Sequence, residues 1–352
     1  ADSSELFGRK GMFQDLLKSR EICLRDTLIK LFKVLNQKQN ERDPFFEDDL
    51  AAFPYINGGL FQDENITIPK CTHAIYHLLV EEATKNFDWS EISPTVFGSV
   101  FENTLNPETR GKGGMHYTSI ENIHKVIDPL FLDDLKDEFR NIKKQIILQE
   151  KKQALLNLQT KIASLTFLDP ACGSGNFLTQ TYISLRKLEN LILESIHCID
   201  KETKHTTPNL KIKVEIENFH GIEINDFAVT VAKTALWIAE LQMMQKTESV
   251  IERKITFFPL KTNAYIHEEN ALQIDWQDII PKHKLHYIIG NPPFLGARFM
   301  TKQQKQDQSR LTTNKKLDYV ACWYYKAAEY IQNTEIQVAF VSTNSIVQGE
   351  QV

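Results

Sequence analysis

The chain has 352 residues, 42 % of them apolar and 25 % charged, enough for a core of domain size and for two compact units. Its net charge of -5 argues against a wholly basic nucleic-acid binder, but not against one whose cations gather on a single face. No run has the length or apolarity of a membrane span, the start ADSSELFGRK lacks the apolar segment of a signal peptide, and five scattered cysteines without a C-x-x-C pair suggest neither a disulfide framework nor a thiolate zinc site. A cytoplasmic protein without membrane contact is expected.

Residues 11–35 and HAIYHLLVEEA (73–83) carry apolar positions at helical spacing, so residues 1–110 are expected to form a mainly helical region. Between them the aromatic and acidic stretch 43–61, ending in YINGGLF, reads as a packed loop. From Pro129 to Leu165, apolar residues three and four apart with Lys and Glu between them predict one long helix or a helical pair. The texture then changes. Short apolar runs at 165–170, 218–224, 284–290 and 336–342, with a helical stretch at 227–244, predict an α/β fold: a doubly wound, mostly parallel sheet over 165–352, preceded over 111–164 by the GKGGMHYTS motif and the long helical segment. Ligands of such folds sit at the carboxyl ends of the strands, where the motifs of this chain fall.

The first motif, DPACGSGNF (169–177), follows a strand and opens a helix. Gly173 and Gly175 allow a tight turn and close ligand approach, while Asp169 suits an ammonium group better than a pyrophosphate. The pattern is neither a complete dinucleotide fingerprint nor a phosphate-binding loop, and a plain turn remains the alternative. In HGIEIN, Glu223 stands where ribose hydroxyls are held and Ile224 offers an apolar face to a base, the alternative being a capping Glu after a strand. Together these features specify a nucleoside joined to an amino acid. In GNPPF (290–294) the prolines fix the backbone, so the Asn291 side-chain oxygen and the Pro292 carbonyl are two preorganised acceptors for an exocyclic amine. Phe294 can stack on the base that carries that amine. A rigid turn with a core Phe is the competing reading.

This set of motifs resembles the S-adenosylmethionine-dependent DNA amino-methyltransferases, specifically the adenine-N6 class in the gamma order of motifs. GKGGMHYTS (111–119) is similar to their methionine-contacting motif and ENALQIDW (269–276) to the segment after their third strand. YINGGLF and the charged helical stretch are similar to large single-chain restriction-modification enzymes and related phage-defence methyltransferases. The resemblance implies that Asp169, Ala171, Cys172, Gly173 and Gly175 line the methionine part of the cofactor and that Tyr117 and Thr118 close over its amino-acid end. It further implies that Glu223 holds the ribose, Ile224 packs on the adenine and Asn270, where the family often has Asp, meets the adenine N6. Asn291, Pro292 and Phe294 match the family's catalytic pattern. The implied partners are double-stranded DNA with a flipped target base, and a recognition domain and possible nuclease elsewhere on a longer chain, with the sheet C-terminally incomplete at Val352. Rival readings are transfer to cytosine N4, RNA guanine N2 or protein glutamine, and a catalytically idle DNA-binding module. His116 and His220 are expected to be structural, and no metal is needed. Lys302, Lys305, Arg310, Lys315 and Lys316 are read either as phosphate contacts or as a solvated loop.

Overall fold

A computed structural model describes residues 7–43, 45, 47–55, 67–87, 89, 92–104, 118–204, 207, 210–252 and 264–347. Two compact units divide these residues, the first within Ala1–Ser93 and the second within Pro94–Ile255 and Ala264–Val352.

In the first unit, the apolar spacing of residues 11–35 produces two helices, Met12–Ser19 and Leu24–Asn36, separated by a single 3-10 turn at Glu21–Cys23. Their inner faces bury Leu17, Leu24 and Leu28 against Val80. Val80 lies in HAIYHLLVEEA, which begins as an α-helix at His73–His77 and widens into a π-helix at Leu78–Lys85. The stretch read as a packed loop contains a short helix, Asp48–Ala51. Arg42 explains why it is held: its guanidinium donates to the carbonyls of Ala51 at 3.0 Å, Phe53 at 2.8 Å and Val34 at 3.1 Å. The YINGGLF segment beyond Tyr55 lies outside the described residues.

The second unit opens with α1 (Pro94–Thr104) and α2 (Ile120–Ile127), the latter capped by Ser119, whose hydroxyl accepts from the Asn122 amide. A π-helical turn at Asp128–Leu132 leads into α3 (Asp133–Lys143), and α4 (Leu148–Ser164) follows. The charged stretch is therefore a helical pair. Five parallel strands form the sheet: β1 (Phe167–Asp169), β2 (Phe219–Glu223), β3 (Ile266–Glu268), β4 (Tyr287–Gly290) and β5 (Gln337–Phe340). Their order is β3-β2-β1-β4-β5. Crossovers run through α5 (Asn176–Thr203), α6 (Asp226–Ile251), and α7 (Lys302–Leu311) with α8 (Ala321–Tyr330).

Aromatic rings fix the register. Phe167 pairs with Phe219 on one side and Tyr287 on the other, and its ring stacks on both, with centroids 5.1 Å and 5.4 Å away. Because a one-residue slip would turn every side chain to the other face, this three-ring row also fixes what stands at the opposite ends of the strands. The other face buries Leu168, Ile222 and Ile288 among Trp276, Trp323 and Tyr330. Between α5 and α6, the fully buried Arg186 pairs with Glu189 and donates to the Thr247 hydroxyl at 2.8 Å, while Glu189 also accepts from Gln159 at 2.8 Å. A charge taken out of water needs such partners.

Candidate active site

The order in which strands are added reverses between β1 and β4, the position at which open α/β folds bind their ligands. A cleft of about 430 Å³ opens there. Its walls include Thr118, Asp169, Gly173, Glu223, Asn270 and Asn291, so residues far apart in the sequence meet in one place.

Asp169 ends β1 and is 1 % exposed, with one oxygen accepting from the Ala171 amide at 3.0 Å. Burial pushes its carboxyl up to about 8, opposed by the Ala171 hydrogen bond and aided by the nearby charge of Glu223. Gly290, the last residue of β4, lies directly against it. A Cβ on Gly290 would strike Asp169 Oδ1 and lie 2.9 Å from its Cγ, and the backbone there has φ 156°. The two motifs therefore touch at their first residues.

The turn after β1 has two glycines with different tasks. Gly173 has φ 53° and nothing near its absent Cβ, and its amide donates to Glu223 at 2.9 Å. Gly175 has φ 77°, and a Cβ there would lie 2.9 Å from that of Ala232 on α6. It is a packing residue outside the cleft wall, whereas Ala171, Cys172 and Gly173 line that wall. Burial, with the charges of Asp169 and Glu223, drives the Cys172 thiol upward, so it stays protonated and non-nucleophilic.

Glu223 closes β2, and its two oxygens accept from Gly173 and, at 3.0 Å, from Asn225. Ile224 beside it is 69 % exposed, a bare apolar side chain at the cleft edge. Asn270 follows β3. Its oxygen accepts from the Leu272 amide at 3.0 Å and its nitrogen donates to Asp307 at 3.1 Å.

Asn291 stands just beyond β4 and donates from Nδ2 to the Thr118 hydroxyl at 2.9 Å. Of the two prolines, Pro293 stands on the cleft wall, while Pro292 is buried and Phe294 is half-buried outside the wall. Tyr117 and His116 fall outside the described residues. His220 stacks on Tyr265 at 5.2 Å and burial pushes its imidazole down to about 4, so it stays neutral in the sheet, away from the cleft.

Sequence reasoning missed the wall residues supplied by the segment after NPPF: Thr301, Gln303, Gln304, Asp307, Tyr319 and Trp323. The basic stretch after NPPF, read as loop or phosphate contact, begins as helix α7. Thr301 and Gln304 form a reciprocal capping box at its start, a T-x-x-Q signal that was legible. Trp323 on α8 donates from Nε1 to the Pro170 carbonyl at 3.0 Å.

The cleft wall carries the carboxylates Asp169, Glu223, Glu269 and Asp307, and among its described residues no Lys, Arg or His. Such a wall repels phosphate and favours a cationic ligand. Strand order, switch-point cleft and carboxylates at successive strand ends define the second unit as a methyltransferase-type α/β fold.

Comparison with known proteins narrows this class. Residues 145–352 match the MmeI DNA-methyltransferase domain and residues 1–61 the MmeI helicase spacer domain. The chain belongs to the MmeI DNA-methyltransferase family. It is 36 % identical over 363 residues to DNA methyltransferase A of Bacillus subtilis (strain 168), covering 100 % of this chain and 39 % of that protein. A putative type II restriction enzyme and methyltransferase of Methanocaldococcus jannaschii is 27 % identical over 279 residues, 65 % of this chain and 22 % of its own length. Among solved structures, the Type IIL restriction-modification enzyme MmeI in complex with DNA superposes with a TM-score of 0.88 at 40 % identity, over 98 % of this chain and 47 % of that one. The chain thus spans less than half the length of these relatives.

Proposed function

We propose that this chain is the catalytic part of a site-specific DNA methyltransferase that transfers a methyl group from S-adenosylmethionine to adenine N6, within a restriction-modification or phage-defence enzyme. The observation that carries the reading is the juxtaposition of Asn291 with a cleft whose buried Asp169 has carboxylate company and no cationic side chain among the described wall residues. A ligand bearing an ammonium and a sulfonium fits that wall, and the Gly173 turn leaves room for close approach.

Asp169 would hold the ammonium, Glu223 the ribose hydroxyls and Ile224 one face of the adenine. Tyr117 and Thr118 are assigned to the amino-acid end, and Thr118 also orients Asn291 through their hydrogen bond. S-adenosylmethionine supplies, when bound, a methyl group already activated by the positive sulfur. The chain's own work is on the amine. The Asn291 side-chain oxygen and the Pro292 carbonyl accept hydrogen bonds from its two N–H groups, which directs the nitrogen lone pair toward the cleft and stabilises the positive charge that grows on nitrogen during transfer. Phe294 stacks on the flipped base, compensating for its lost neighbours in the duplex. Double-stranded DNA is the proposed substrate. In support, a second groove beside α7 carries Arg298, Lys305, Lys315 and Lys316 with Phe299, which is 78 % exposed. A recognition domain is assigned to the part of the longer protein outside this chain.

The deciding measurement is labelled methyl transfer by the full-length protein to unmethylated DNA, followed by nucleoside analysis. N6-methyladenine is expected; N4-methylcytosine would replace the base assignment, and failure to bind S-adenosylhomocysteine would favour an idle DNA-binding module. Asn291→Ala should lower turnover roughly 10²- to 10³-fold, the range for losing one preorganised partner of developing charge, while S-adenosylhomocysteine affinity is retained.

A further inference from the structure

We propose that Asp307 recognises the exocyclic amine of the cofactor's adenine and so sets the base specificity of the cleft. The proposal rests on reading the cleft as an S-adenosylmethionine site. Its starting point is an anomaly on α7. The helix KQQKQDQSRL is polar throughout, yet Asp307 is 1 % and Gln308 2 % exposed. Gln308 is accounted for, since its amide donates to the Leu317 carbonyl at 2.7 Å. Asp307 instead lines the cleft. A carboxylate buried on a helix this polar needs a specific reason, because burying its charge is costly without donors.

The donors come from the β3 end of the cleft. Gln273 reaches Oδ1 at 2.9 Å, with Gln303 at a longer 3.4 Å, and Asn270 reaches Oδ2 at 3.1 Å. Tyr319 packs beside the same carboxylate, and the exposed Arg310 stands 3.8 Å from Oδ1. Asn270 is held in one orientation: its oxygen accepts from the Leu272 amide and its NH2 end donates to Asp307, and neither end can turn without leaving an N–H facing an N–H or an oxygen facing a carboxylate. It keeps at most one lone pair for a ligand, on a neutral oxygen that is a weaker acceptor than a carboxylate. An adenine amine is a donor of two protons and needs an acceptor. Asp307 is the acceptor that this network builds.

Strand order places it correctly. In the series β1, β2, β3, Asp169 ends the first strand, Glu223 the second, and Asn270 with Asp307 stands beyond the third. A ligand with its ammonium at Asp169 and its ribose at Glu223 therefore directs its base toward Asp307. Glu269, on the same wall but exposed, is the competing acceptor.

The test compares S-adenosylhomocysteine with its inosyl counterpart, in which a 6-oxo group replaces the 6-amino group, by titration calorimetry on the full-length protein. Wild type should favour the adenosyl ligand by roughly 10- to 100-fold, as expected for one hydrogen bond to a charged acceptor. Asp307→Asn should narrow that ratio to within a few-fold, chiefly by weakening the adenosyl ligand, because an amide can donate to the 6-oxo group. Glu269→Gln should leave the ratio unchanged. Equal binding of both ligands by wild type overturns the proposal without any variant, and so does a parallel loss of both ligands in a folded Asp307→Asn protein, or a ratio that collapses in Glu269→Gln. Binding of neither ligand by wild type overturns the cofactor reading itself.

Discussion

Asp169 is the residue at which the chemistry of the cleft is most directly measurable. In the unfolded chain a carboxyl of this kind titrates at about 3.9, whereas burial raises it to about 8 in the folded protein. The folded state thus binds the proton more tightly. The stability this contributes is complete below the unfolded value, declines as pH rises above it, and is lost by about pH 8. Ligand-free protein should therefore melt at progressively lower temperature as pH is raised from 6 to about 8 and level off above that, and Asp169→Asn should flatten the falling part of the profile. An ammonium-bearing ligand favours the ionised carboxyl, so affinity for S-adenosylhomocysteine should increase with pH up to about 8. Below that value, complex formation should release a proton, visible as a difference between calorimetric heats in buffers of different ionisation enthalpy. Asp169→Asn should also weaken binding by roughly 10- to 150-fold, the loss of one charged hydrogen bond. A flat pH profile in wild type would contradict the assignment of this carboxyl to the ligand's cation.

At the scale of elements, the sharpest constraint is the contact between the end of β4 and the end of β1. Gly290→Ala adds a methyl group where Asp169 already stands. Overpacking of this kind typically costs about 1–3 kcal/mol. The expected result is a lower melting temperature together with a loss of S-adenosylhomocysteine affinity, since the displaced side chain is the proposed ammonium partner; an unaltered melt and affinity would show that the strand ends can separate freely. The sequence made most of these elements readable for identifiable reasons. Phe167, Leu168, Ile288 and Ile289 form apolar runs because a central parallel strand is covered on both faces. β3 carries no apolar run and was placed only through the resemblance of ENALQIDW to the segment after a third strand: three residues long at the sheet edge, Ile-His-Glu buries just its first side chain. Helices α7 and α8 were obscured differently. The first is polar on all sides and has a cap as its main signature, and nothing in the local pattern reveals that Asp307 faces inward.

At the scale of the whole molecule, net charge alone says little about a partner, because the chain carries -5 while the cations beside the NPPF loop gather in one groove. DPACGSGNF, HGIEIN, ENALQIDW and GNPPF were legible because each lies within a few residues of a strand end. The hydrogen bonds that join them, such as Asn291 to Thr118, are spread along the chain and leave no local trace. Among the described residues no helix is long and apolar enough to cross a membrane. If the groove beside α7 contacts phosphate, replacing both Lys315 and Lys316 by Ala should reduce the slope of log affinity for DNA against log salt by about 1 to 2, following the rule of nearly one per phosphate contact. Equal slopes in wild type and variant would assign these lysines to solvent.

The bond from Trp323 to the Pro170 carbonyl spans 153 positions, and that from Asn291 to Thr118 spans 173. Contacts of such separation form late, because a long loop must close before they contribute. A nascent chain that has emerged through Asn291 already contains every cofactor motif, yet lacks the tryptophan that secures the turn after β1. Ligand capture therefore marks the end of folding rather than accompanying it. A cofactor analogue added during refolding should bind in the slowest phase, after the helices have acquired their dichroism.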